Sequence, residues 1–184
     1  MEPRSLSGFL PPSDINAQVL ERQTTYLMLR DIATGAAYRV NFDRKKEFSL
    51  EEPLFKGLKI EETHPLLEQY EQQEVTVYVS NAPSNAEMTL SEIDLSVRNH
   101  FKGWRSLNNY GNREYALTTI LKKGKGMFYR GPKGGAEVVK AVLEKHGVSF
   151  TSQEGRLPSD RFKVLLLGSN YVVAKDFRFQ RLGG

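Results

Sequence analysis

The chain has 184 residues, 39% hydrophobic and 26% charged, which is enough for a buried core and too balanced for a collagen-like, low-complexity or wholly disordered chain. It contains no cysteine, which excludes disulfides, thiolate zinc sites, iron–sulfur clusters and cysteine nucleophiles. No basic-then-apolar leader opens it and no apolar run approaches the roughly 18 residues that span a bilayer, so a soluble, cytoplasmic protein without a membrane partner is expected.

Residues 1–13 carry Pro3, Gly8, Pro11 and Pro12 and read as an irregular arm, with a single domain expected over 14–184. Ser13 is placed to cap a short helix over Asp14–Arg22, with Ile15, Val19 and Leu20 inward. A hairpin follows: Thr24–Ile32 runs out, Ala33-Thr34-Gly35 turns, and Ala36–Phe42 returns with Tyr38, Val40 and Phe42 alternating. Asp43–Glu52 is a charged connector holding Arg44-Lys45-Lys46, and Leu54–Ile60 reads as a short strand. Thr63 and Pro65 mark a helix start. Glu74–Ser80 is a clean strand with Val75, Val77 and Val79 on one face.

Thr89-Leu90-Ser91-Glu92 has the spacing of a capping box, and Leu90, Ile93, Val97, Phe101 and Trp104 follow at helical steps. Glu114–Leu121 leans towards strand for its Tyr and two Thr. Met127–Arg130 and Val148–Thr151 are short strands, and Glu137–His146 is a helix ended by Gly147. A second hairpin, Arg161–Leu167 and Tyr171–Phe179 about Gly168-Ser169-Asn170, closes the chain. Without a strict β-α-β rhythm, the expected class is α+β: a mostly antiparallel sheet built from two hairpins and further short strands, with three to four helices packed on it.

The net charge of +4 conceals a division. Residues 1–97 hold 9 basic and 16 acidic side chains, whereas residues 98–184 hold 17 and 6. Such asymmetry bears on partners rather than fold. Within the later half, Lys122-Lys123-Gly124-Lys125-Gly126-Met127-Phe128-Tyr129-Arg130-Gly131-Pro132-Lys133-Gly134-Gly135 combines five cations, five glycines and two aromatics with no acid. Glycines let a backbone approach an anion, and Gly134 and Gly135 open onto a helix N-terminus, where free N–H groups favour negative charge. Single-stranded nucleic acid is bound by cations that track phosphates and exposed rings that stack on bases. The leading expectation is therefore a non-catalytic nucleic-acid-binding protein. Arg105, Arg113, Lys122, Lys123, Lys125, Arg130 and Lys133 would contact phosphates, Tyr110 and Tyr129 would stack, and Gly134 and Gly135 would cradle an anion. No cofactor and no metal ligand set is assigned.

Two further readings stand beside it. The charge-asymmetric surface also suits a protein-interaction module of the adaptor, inhibitor or immunity type. Third, Asp31 on the first hairpin and Asp43-Arg44-Lys45 after it loosely resemble the Asp…Asp/Glu-x-Lys arrangement of restriction-type nucleases, with Glu21 as a third acid. That resemblance implies Mg²⁺ held by the carboxylates and a water oriented by Lys45. His64, His100 and His146 have no metal-binding spacing, and no serine sits in a Gly-x-Ser-x-Gly elbow.

Overall fold

In the computed structural model, which describes residues 10–182, the first regular element is a strand and not the expected helix. β1 (Asn16–Arg22) buries Ala17 and half-buries Val19 while its remaining side chains are exposed, a period of two that a helix would not give. It pairs antiparallel with β2 (Tyr26–Asp31), which pairs with β3 (Ala37–Asp43) in the predicted hairpin. β5 (Leu54–Lys56) and β12 (Asp176–Leu182) complete a five-stranded sheet ordered β12-β3-β2-β1-β5. A second, four-stranded sheet is ordered β4-β11-β10-β6, from β4 (Glu47–Ser49), β6 (Leu58–Glu61), β10 (Lys163–Leu167) and β11 (Asn170–Ala174). Leu27, Leu29 and Val40 of one sheet share a core with Leu165, Val172 and Ala174 of the other. The run expected from Leu54 to Ile60 is two strands in different sheets, because Gly57 takes a left-handed φ of 87° between them.

These strands belong to one compact unit, Met1–His64 with Arg161–Gly184; Pro65–Asp160 forms another. Each of the two units has its own core. The charge division dissolves between them. The first unit carries 14 basic and 11 acidic residues, the second 12 and 11, so neither inherits the imbalance of the sequence halves.

The second unit starts with a short 3-10 turn (Pro65–Leu67) and α1 (Glu68–Glu71), then β7 (Glu74–Val79) and α2 (Ala86–His100). α3 (Leu117–Lys123), β8 (Gly126–Pro132), α4 (Lys133–Lys145) and β9 (Phe150–Glu154) follow. β7 is the centre of an antiparallel sheet ordered β8-β7-β9. Val75, Val77 and Val79 pack against Ile93, Val97 and Phe101 of α2 and its C-cap and against Val139 and Leu143 of α4. The described residues form an α+β fold of antiparallel sheets and four α-helices. Among the described residues no helix is long and apolar enough to cross a membrane.

Two local readings change here. α2 is capped by Asn85, whose side chain accepts from the Met88 N–H at 3.0 Å, and Thr89 of the expected capping box is buried inside the helix, donating to the Asn85 carbonyl. Asn85→Ala is expected to cost about 1 kcal/mol of stability, read as a shift in the denaturation midpoint, whereas Thr89→Ser should be milder. The Glu114–Leu121 region, expected as strand, is helical from Leu117: Ile120 and Leu121 are buried together, and Gly124 closes the helix in the left-handed region.

α4 is tied to α2 by Glu92, which receives hydrogen bonds from Lys145 and the His146 ring. The Lys145 bond, then the His146 bond, hold the Glu92 carboxyl below its ordinary range. A carboxyl lowered in the folded state adds stability above its unfolded value that is lost as pH falls through the folded one. Glu92→Gln is therefore expected to flatten the loss of thermal stability on acidification below about pH 4.5, measured by melting curves across that range.

Candidate nucleic-acid interface

The two rings expected to stack on bases lie in the core. Tyr129 is fully buried and Tyr110 almost so. β8 explains the first. Val77 pairs with Tyr129 and Tyr78 with Met127, so Phe128 is an extra residue in a bulge. The bulge sends Phe128 and Tyr129 to the same side, where strict alternation would have put one outside. Tyr110 packs between Phe101 and Tyr129, with ring centroids 5.2 and 5.5 Å away, and the Tyr129 hydroxyl donates to the Pro132 carbonyl at 3.1 Å.

The glycine cradle is likewise occupied by protein. The Gly134 N–H donates to Gln72 Oε1 at 2.7 Å, and Gly135 is buried, with the Tyr129 hydroxyl and the Phe101 ring in the space that a Cβ would take. These glycines make room for side chains and not for an anion. Arg105 is buried. The cations of 122–133 do not form one unpaired patch: Lys122 pairs with Glu87 at 2.6 Å, Arg130 with Glu74 at 2.9 Å and Lys133 with Glu154 at 3.1 Å. Lys123, Lys125 and Arg113 are exposed, and among the described residues none of them makes an ion pair.

What the fold does present is the sheet face opposite the helices. Because the valines of β7 point into the core, Thr76 and Tyr78 point the other way. Thr76 lies between Arg130 of β8 and Gln153 of β9, and Tyr78 between Met127 and Thr151. Alongside the outer edge of β8 runs the segment after α2, joined by a single antiparallel bridge between Gly111 and Tyr129 and by the Arg130 N–H bonded to the Tyr110 carbonyl at 2.8 Å. Asn112 locks that segment: its amide donates to the Met127 carbonyl at 3.1 Å while its oxygen accepts from the N–H groups of Glu114 and Tyr115.

Sheet and segment together bound an open groove of about 610 Å³, floored by Thr76, Tyr78 and Met127 and edged by Arg113 and Arg130 with Glu114 and Glu74 beside them. Three of the expected residues, Tyr110, Arg113 and Arg130, line this groove, and Tyr110 does so from a nearly buried position. Comparison with known families, curated proteins and solved structures returns no match. Tyr78 is the residue that the charge-led reading passed over. Its signal was the alternation of Glu74–Ser80, which sets Tyr78 opposite the valines on a polar face.

The nuclease arrangement is not assembled. Asp31 and Asp43 sit at opposite ends of the β2–β3 hairpin, where Arg30 pairs with Ala37 and Tyr26 with Asn41, a separation of roughly 20 Å at the rise of a strand. Asp31 accepts from the Ala33 N–H and the Thr34 hydroxyl and so shapes the turn, and Glu21 accepts from Gln23 and Tyr26. Among the described residues no three His, Asp or Glu side chains are grouped to hold a metal ion.

Proposed function

We propose that the second unit binds single-stranded nucleic acid on the open face of its sheet. The observation that carries this reading is Tyr78, a half-buried ring at the centre of an antiparallel sheet with arginines at the groove's edge. A flat aromatic on a sheet platform gives a base a stacking surface that is independent of sequence, and neighbouring guanidinium groups follow the sugar–phosphate chain. Among the described residues Arg113, at the groove's edge, makes no ion pair. Both side chains of the Arg130–Glu74 pair are at least half exposed, so a phosphate can displace the carboxylate at little expense. Lys123 and Lys125, in the last turn of α3 and the turn that leads into β8, extend the positive charge.

The experiment is fluorescence anisotropy with labelled single-stranded oligonucleotides over a series of salt concentrations. Affinity should fall linearly on a log–log plot, with a slope of about −0.7 per phosphate contacted. The triple reversal Lys122→Glu, Lys123→Glu and Lys125→Glu should weaken binding while leaving the melting temperature close to that of the parent, since these lysines are exposed. Retention on an oligonucleotide column no greater than on a cation exchanger of equal charge would transfer the case to a protein-interaction module.

A further inference from the structure

The strongest feature outside that groove is in the first unit, at the end of the sheet where β1 turns into β2 and β3 into β4. Here Arg22, Gln23, Thr24, Lys45 and Phe48 enclose an open pocket of about 400 Å³ that no carboxylate lines. The Arg22 guanidinium lies 5.1 Å from the centre of the Phe48 ring and the Lys45 ammonium 5.4 Å from it. Two like charges are thereby held against one ring. Among the described residues neither makes an ion pair, in contrast to Lys59 with Glu61 and Lys163 with Asp176 in the same unit.

The backbone fixes this placement. Arg44 adopts a left-handed φ of 46°, and the turn containing Lys45 is pinned at both ends: the Lys46 N–H donates to the Val173 carbonyl at 2.8 Å, and the Lys175 N–H to the Asp43 carbonyl at 2.9 Å. A non-glycine residue in that conformation is strained, and here the strain aims a cation at a pocket that already holds another. The neighbouring acid, Glu21, is held by Gln23 and Tyr26 through hydrogen bonds and does not line the pocket. Thr24 does line it, and its hydroxyl and N–H have no partner among the described residues.

From this arrangement we infer that the first unit carries a binding site for a phosphate group. A guanidinium fork, an ammonium point charge and a hydroxyl donor are the complement of a tetrahedral oxyanion, and an anion placed between Arg22 and Lys45 relieves their mutual repulsion. The cation–π contacts keep both side chains in place when the site is empty, so less freedom is lost on binding. The volume accommodates the phosphate together with part of an ester substituent. The site is independent of the sheet groove in the second unit and stands or falls without it.

The test is a titration of inorganic phosphate followed by phosphorus NMR line broadening. The full chain should broaden the line saturably, and the double variant Arg22→Gln, Lys45→Gln should bind at least about tenfold more weakly with an unchanged melting temperature. The variant Lys59→Gln, at a lysine that pairs with Glu61 and does not line the pocket, should bind phosphate as the parent does. Two sources of the group are separated by competition in a Tyr78→Ala background: displacement by a single-stranded oligonucleotide identifies a polynucleotide phosphate, and displacement only by small phosphate monoesters identifies a free metabolite. Absence of saturable broadening, or equal broadening by the Arg22/Lys45 variant, overturns the site.

Discussion

Replacing Tyr78 with alanine should weaken binding of a single-stranded oligonucleotide by roughly 5- to 150-fold, the equivalent of the 1–3 kcal/mol lost when one stacked base loses its aromatic platform. Tyr78→Phe should retain most of the affinity, because the ring stacks and the hydroxyl does not. Stability should change far less than affinity. Tyr78 lies on the outer face, and its neighbours across the strands, Met127 and Thr151, make pair contacts worth a few tenths to about 1 kcal/mol. The slope of affinity against salt should be the same in Tyr78→Ala as in the parent, since no phosphate contact is removed. Anisotropy titrations at several salt concentrations measure both quantities. An alanine variant that binds as tightly as the parent would end the proposal for the sheet face. A variant with reduced affinity and a reduced salt slope would place the ring's effect on the arginines and not on a base.

The parts of the fold that were legible in the sequence are those written in local chemistry. The Ala33-Thr34-Gly35 and Gly168-Ser169-Asn170 turns joined alternating strands, and the structure pairs β2 with β3 and β10 with β11 around them. Val75, Val77 and Val79 announced a one-sided strand and lie in the core. The second hairpin was read only in part. Tyr171–Phe179 is two strands in different sheets, divided at Lys175, and a local pattern of apolar residues does not record which sheet a strand joins. β1 was harder for the same reason. Ile15, just before it, with Val19 and Leu20 satisfies a helical face, and only pairing with β2 and β5 decides for a strand.

The determinants of the candidate site are not local. A bulge has no sequence signature in Met127-Phe128-Tyr129-Arg130, yet it decides that both aromatics face inward. The charge division is real along the chain and absent in space, because residues 65–97, with six acids and no base, fold into one unit with residues 98–160, which hold twelve bases and five acids. Within the second unit, Glu74 and Glu87 come from the acidic half and sit on Arg130 and Lys122 of the basic one. Counting charges by position therefore overstated the open cationic surface.

Gly135→Ala should be among the most destabilising single substitutions in the second unit. In a helix interior, alanine is favoured over glycine by up to about 1 kcal/mol, so the exchange would help if space allowed. At Gly135 it does not: a Cβ would come within 2.2 Å of the Tyr129 hydroxyl and 3.1 Å of the Phe101 ring. Both groups are fully buried and close-packed, and overpacking of this kind costs about 1–3 kcal/mol and sometimes more. Tyr129→Phe removes the clashing oxygen at the expense of one buried hydrogen bond to the Pro132 carbonyl, about 1 kcal/mol. The double variant should therefore be more stable than the sum of the single effects predicts, by 1 kcal/mol or more. Burial also pushes the Tyr129 hydroxyl well above its ordinary range, with Tyr110 and then Glu68 adding to the shift. A group whose folded value is raised supports the fold fully below its unfolded value and progressively less above it. Stability of the parent should therefore decline as pH rises beyond about 10, and Tyr129→Phe should remove that share of the alkaline loss. Denaturant titrations of the four proteins at neutral and alkaline pH test both claims. Strict additivity at neutral pH would mean that Gly135 is required for some reason other than the room it leaves for the tyrosine hydroxyl.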